Sequence, residues 1–86
     1  MKNNLLKVQV RSRQGLVFEG DLFAVSSYNS AGLFDVLPQH TNFISLIKRK
    51  VTLRRGDGRT DEIALENGVI MVENNRVVVF LGVAKV

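Results

Sequence analysis

His40 is the only histidine of this 86-residue chain, and it stands two positions after the only proline, Pro38, in the stretch FDVLPQHTNF. An imidazole works as a general base only with a nucleophile and an orienting acid in reach. The nearest acid in sequence is Asp35, and no Gly-x-Ser-x-Gly elbow presents a serine. One histidine without cysteine builds a zinc site only if carboxylates supply most of the ligands. The consecutive acids Asp61 and Glu62 point to opposite faces of a strand and cannot share a substrate. Gly56-Asp57-Gly58 lies between two strand-like runs, as a hairpin tip does, rather than before a helix as a Walker loop does. These residues imply no catalysis, no metal site and no bound cofactor.

Charge is the next signal. Twelve Lys and Arg against eight Asp and Glu give a net +4. The excess is local: Lys48, Arg49, Lys50, Arg54, Arg55 and Arg59 fall in one short segment, with Asp57 among them. Such a cluster serves phosphate, acidic lipid or an acidic protein face, or is simply a solvated hairpin. No aromatics interleave with it as a stacking platform for bases requires.

The elements that would carry these residues follow a period of two. Leu6, Val8 and Val10 alternate with Lys7, Gln9 and Arg11, one face apolar and the other wet. Further strand-like runs cover 16–18, 22–26, 43–47, 51–54, 62–65, 69–72 and 76–81. Turn signals separate them at Gln14-Gly15, 29–32, Gly56-Asp57-Gly58, Asn67-Gly68 and Asn74-Asn75, where Gly and Asn accept positive φ. No stretch carries a helical period with caps. The expected fold is all-β, a small antiparallel β-sandwich of about ten short strands. Pro38 suits a corner or an edge, with Leu37 and Phe43 packing inward to hold it.

Composition sets the remaining limits. Hydrophobic residues make up 45% of the chain and charged residues 23%, as in a globular domain. Residues 1–86 are expected to form one domain, too short for a second core. There is no cysteine, hence no disulfide framework. The longest apolar run, 77–81, is far short of the roughly twenty residues of a membrane span, and the N-terminal stretch MKNNLLKVQVRSRQ breaks into charge before a signal-peptide core forms. A soluble chain on the cytosolic side, with no direct membrane span, is expected. In 69–72 and 77–81 both strand parities are apolar, so both faces want cover. The second cover is either the domain's own sheet or a partner protein.

One pattern is more specific. The order Val17-Phe18-Glu19-Gly20, then Gly32-Leu33-Phe34-Asp35-Val36-Leu37-Pro38-Gln39-His40, then Asn67-Gly68 ahead of Val72 and Val77-Val78-Val79, resembles the epsilon subunit of rotary F-type ATP synthases. In that family a Phe-x-Gly precedes a Gly-x-hydrophobic-Gly-hydrophobic-x-Pro-x-His, and a glycine pair later opens the last hairpin. The chain departs from the family where Asp35 and Gln39 stand at frequent glycines, Thr41-Asn42-Phe43 at a small-Pro-Leu, Arg49-Lys50 at a Pro-Gly turn, and Gly82 and Leu33 at frequent acids.

The resemblance implies a mechanical role: a non-catalytic central-stalk subunit that links the gamma subunit to the membrane rotor ring for proton- or sodium-driven ATP synthesis. It implies a hetero-oligomeric complex, peripheral on the cytoplasmic side of an energy-transducing membrane, no nucleic acid partner, and a chain without the family's regulatory C-terminal helices. By position, Ser12, His40 and Ser45 match the gamma side, Ser30, Ala31, Gly32 and Leu33 match the ring-facing loop, and Phe34, Asp35, Leu37 and Pro38 shape the connecting loop. The competing reading is a small basic β-barrel that binds single-stranded nucleic acid through the Lys48–Arg59 cluster. An enzyme built on His40 is the third.

Overall fold

The computed structural model describes residues 5–82. Every regular element among them is a strand: β1 (Leu6–Ser12), β2 (Gly15–Leu22), β3 (Ala24–Asn29), β4 (Gly32–Val36), β5 (Phe43–Arg54), β6 (Thr60–Glu73) and β7 (Arg76–Leu81). They form one seven-stranded sheet in the order β2-β1-β7-β6-β5-β3-β4, folded on itself as a sandwich.

Seven strands replace the expected ten because β5 and β6 are long and bent, each serving both halves of the sandwich. The first parts of β5 and last parts of β6 pair through Phe43↔Val72 to Ile47↔Gly68, and the remainder through Arg49↔Leu65 to Arg54↔Thr60, with a register shift between. Asn67-Gly68, expected as a hairpin turn, lies inside β6 at this shift. A Cβ on Gly68 would collide with the Phe80 carbonyl oxygen and the Leu65 side chain, so only glycine lets β7 approach here. On β5 the shift is met by Arg49, whose φ is 77°. Bulges of this kind bend a strand without ending it.

The sandwich is not wholly antiparallel. β1 and β7 run parallel from Lys7↔Arg76 to Arg11↔Phe80, a pairing between sequence-distant strands that local turn signals cannot announce. The β6–β7 turn does follow its signal: Asn74 and Asn75 both take positive φ, 52° and 64°, as a two-residue type I′ hairpin requires.

The core draws on both halves: Leu6, Val8, Val10, Ile70, Val72, Val77 and Val79 from one, Val25, Val36, Val51 and Leu53 from the other, with Leu22 and Ile47. Phe34 of β4 meets Phe43 of β5 edge-on, ring centres 5.7 Å apart. Ser27, the one buried polar residue among those described, donates its hydroxyl to the Lys50 carbonyl at 2.8 Å, so its burial leaves no unpaired group.

Candidate functional site

Strand alternation sends the side chains of 69–72 and 77–80 to two destinations. Ile70, Val72, Val77 and Val79 enter the core, whereas Val69, Met71, Val78 and Phe80 face outward. Register then builds a grid. Ile44 lies opposite Met71 and Met71 opposite Val78; Leu46 lies opposite Val69 and Val69 opposite Phe80. Six apolar side chains thus form two rows across β5, β6 and β7. Leu46 is 74% exposed and Ile44 63%, with Met71 and Phe80 each at 39%. The rows end at polar residues, since Val78 pairs with Gln9 and Phe80 with Arg11 on β1, and Gln9 in turn donates to Glu19 of β2. An apolar centre with a polar rim is the anatomy of a protein-docking surface.

The matching face on the other half of the sandwich is polar. Ser26 donates to Asp35 across β3 and β4, and Lys50 pairs with Glu62 at 3.1 Å across β5 and β6. Ser26 also lies opposite Thr52, and Thr52 opposite Glu62. Its exposed groups satisfy one another.

The residues singled out in the sequence are distributed around these faces. Ser12 ends β1, one step past the Arg11↔Phe80 pair, and its hydroxyl accepts the Gln14 N–H at 3.2 Å. His40 lies in the 37–42 connection, its ring 5.0 Å from that of Phe43, with Nδ1 donating to the Thr41 carbonyl at 2.7 Å. Ser12 and His40 therefore flank opposite ends of the sheet that carries the apolar grid. Ser45 sits between Ile44 and Leu46, but alternation turns its side chain to the other face, where its hydroxyl accepts from Asn29 Nδ2 at 3.2 Å.

Phe34 and Asp35 belong to β4 rather than to a loop. Asp35 is committed to Ser26 and forms no dyad with His40. Leu37 does not pack inward; it is 46% exposed beside Phe23, Pro38 and Gln39. The connection is tied down by polar groups instead. The Gln39 N–H donates to Asn75 Oδ1 at 2.6 Å and the Asn74 N–H to Asn42 Oδ1 at 3.0 Å. Ser30 and Ala31 form the β3–β4 turn, where Asn29 Oδ1 accepts the Ala31 N–H at 2.9 Å. Gly32 follows with φ 117°, and Leu33 is 63% exposed.

Most of the basic cluster is engaged. Arg55 donates twice to Asp61, Arg59 to Asp57, and Lys50 to Glu62. The Arg59 backbone N–H, aided by its guanidinium, holds the Asp57 carboxyl below its ordinary value. Arg49 lies over the Tyr28 ring at 4.8 Å and Arg55 over Phe18 at 5.6 Å. The signal missed in the sequence was across the sheet: Asp61 and Glu62 on β6 answer cations on and just beyond β5. With three of its six cations paired to carboxylates and Arg49 and Arg55 lying over aromatic rings, much of the segment is engaged within the domain, and the nucleic acid reading is not favoured.

The model of the ATP synthase delta/epsilon chain β-sandwich domain matches residues 5–85. The chain belongs to that family. Among its relatives are ATP synthase epsilon chains of Campylobacter fetus, 32% identical with 91% of this chain and 61% of the relative covered, and of Nitratiruptor, 33% identical with 83% and 56% covered. The chain thus spans about six-tenths of the length of the curated relatives it matches. In fold it is similar to a chain of the Euglena gracilis mitochondrial ATP synthase, with a TM-score of 0.87 at 13% identity, 96% of this chain and 54% of that one being covered. It is also similar to one in the central stalk/c-ring structure of the Tetrahymena thermophila mitochondrial ATP synthase, with a TM-score of 0.76 at 10% identity, covering 93% and 64%.

Two departures from the family pattern acquire a physical meaning. Gln39 stands where a glycine is frequent and takes positive φ, 70°. The backbone path that suits glycine is kept while the residue is not. Asp35 is different, because in β4 it needs no glycine conformation and gains a cross-strand hydrogen bond from Ser26.

Proposed function

We propose that this chain is a non-catalytic central-stalk subunit of an F-type ATP synthase, coupling the gamma subunit to the membrane rotor ring. The observation that carries the reading is the apolar grid of Ile44, Leu46, Val69, Met71, Val78 and Phe80 on the outer face of a delta/epsilon-type sandwich. Its relatives are named epsilon chains of ATP synthase. The gamma subunit is assigned to this grid, with Ser12 and His40 at its margins. Ser45 acts from behind, through Asn29, on the strand that carries Ile44 and Leu46. The β3–β4 turn, Ser30-Ala31-Gly32-Leu33, is assigned to the rotor ring. Transmitting torque needs a stiff body, which a close-packed sandwich with a bulged, shared pair of strands supplies.

On this reading the subunit is peripheral, on the cytoplasmic side of an energy-transducing membrane. None of the helices needed to cross a bilayer occurs among the described residues, so attachment is through its partners. Isolation of the tagged full chain in mild detergent tests the assignment. Gamma and the ring should co-purify with it; a monomer that ignores both contradicts it.

A further inference from the structure

One row of the apolar grid runs into a cation. Leu46, Val69 and Phe80 stand in register, Phe80 faces Arg11 of β1, and Arg11 faces Leu16 of β2. Apolar surface resumes beyond the arginine: Leu16 and Val17, at the register shift between β1 and β2, are each 50% exposed. Arg11 thus stands between Phe80 and Leu16, and with Val69, Phe80 and Leu81 it lines an open, largely apolar hollow. Among the described residues Arg11 pairs with no carboxylate. The acids of β2 are taken up elsewhere: Gln9 donates to Glu19 at 3.0 Å, and Asp21 lies 3.8 Å from Lys7. Arg11 itself donates through Nε to Gln9 Oε1 at 3.2 Å. That bond orients the guanidinium and, among the described residues, leaves its two terminal Nη groups for another acceptor.

We propose that the partner seated on the apolar grid presents a carboxylate to Arg11, and that this pair fixes the register in which the two surfaces dock. The inference rests on the assignment of the grid to the gamma subunit and specifies the chemistry of one point in that contact. An arginine set in an apolar row is covered together with the row, and covering a charge without an opposite one is strongly unfavourable. A carboxylate matches the planar fork of the two Nη groups with two parallel hydrogen bonds, which a lone carbonyl does not. Leu16 and Phe80 on either side shield the pair from water, as the contacts surrounding a hot spot do. A basic side chain of the partner would meet like charge at the same point.

The test measures binding of the full chain to the gamma subunit of its own complex, with unfolding curves to check that each variant is folded. Arg11→Met, which keeps an apolar stem without the charge, should weaken binding by about tenfold, because the partner's carboxylate is then covered unpaired. Arg11→Lys, which keeps the charge and loses the fork, should fall in between. Each acidic residue of gamma is then replaced by its amide. One replacement should cost about tenfold against the native chain and almost nothing against Arg11→Met, the mark of a direct pair in a double-mutant cycle. Binding unchanged or tightened by Arg11→Met, or no gamma acid coupled to Arg11, overturns the carboxylate proposal, while loss of binding in Leu46→Asp leaves the grid reading standing. A native chain that does not bind gamma, or whose binding is indifferent to Leu46→Asp, overturns both.

Discussion

The two outer faces of the sandwich are made from the same two strands and differ in almost everything else. On the half formed by β7, the first part of β5 and the last part of β6, outward positions are Ile44, Leu46, Val69, Met71, Val78 and Phe80. On the other half they include Ser26 and Asp35, which hydrogen-bond to each other, Lys50 and Glu62, which form an ion pair, and Thr52 in register between Ser26 and Glu62. The polar face is finished as it stands, because its donors and acceptors find one another. The apolar face is finished only by something else. Since the fold needs neither face to hold its core, the contrast separates what stabilises the domain from what, on the proposed reading, recruits a partner.

The contrast breaks most sharply when charge is introduced on the apolar face. Leu46→Asp combined with Met71→Lys should cut gamma association by about a hundredfold, as loss of a central hot spot does. Thermal stability should stay within about 0.5 kcal/mol of the native value, the usual range for exposed positions. Paired binding and unfolding curves check this, and a matched Thr52→Gln on the polar face, which brings no like charge against Glu62, should alter neither.

Next in size is the bend that lets β5 and β6 serve both faces. Gly68→Ala should cost about 1–3 kcal/mol, since the new methyl meets the Phe80 carbonyl and the Leu65 side chain in a packed site. Chemical denaturation measures it. Because the bend also aligns Leu46 with Val69 and Phe80, gamma binding should fall as well, unlike in a variant that weakens the core alone.

A smaller effect separates the two positive-φ side chains. Gln39→Gly should stabilise the domain by up to about 1 kcal/mol by relieving a left-handed side chain. Arg49→Gly should gain less, because it also loses the cation–π contact with Tyr28. Smallest is the Lys50–Glu62 pair, half open to solvent, where a double-mutant cycle should return about 0.2–1 kcal/mol, falling with salt.

How much of this could be read from the chain depends on how local the cause was. Alternation at Leu6, Val8 and Val10 and the Asn74-Asn75 turn are local, and both stand as read. The surplus apolar parity of 69–72 and 77–81 was also legible, but not which cover it would receive, because that required the register that sets Leu46 against Val69. β4 escaped notice since Gly32 and Asp35 are poor strand formers that the pairing with β3 overrides. Asn67-Gly68 reads as a turn by its residues and becomes a bulge only because the flanking halves of β6 find a continuous partner in β5. Leu37 looks like an anchor by its apolarity, yet the connection is held by Gln39, Asn42 and the two asparagines of the β6–β7 turn. The engagement of the basic cluster was hidden for the same reason, since Asp61 meets Arg55 across a hairpin.

The central claim is that the apolar face, and not the polar one, receives the gamma subunit. Photo-crosslinking groups placed singly at Leu46 and at Thr52 of the full chain, irradiated in the assembled complex, test it most directly. The account predicts crosslinks to gamma from Leu46 and none from Thr52. Crosslinks to gamma from Thr52 with none from Leu46 would contradict it.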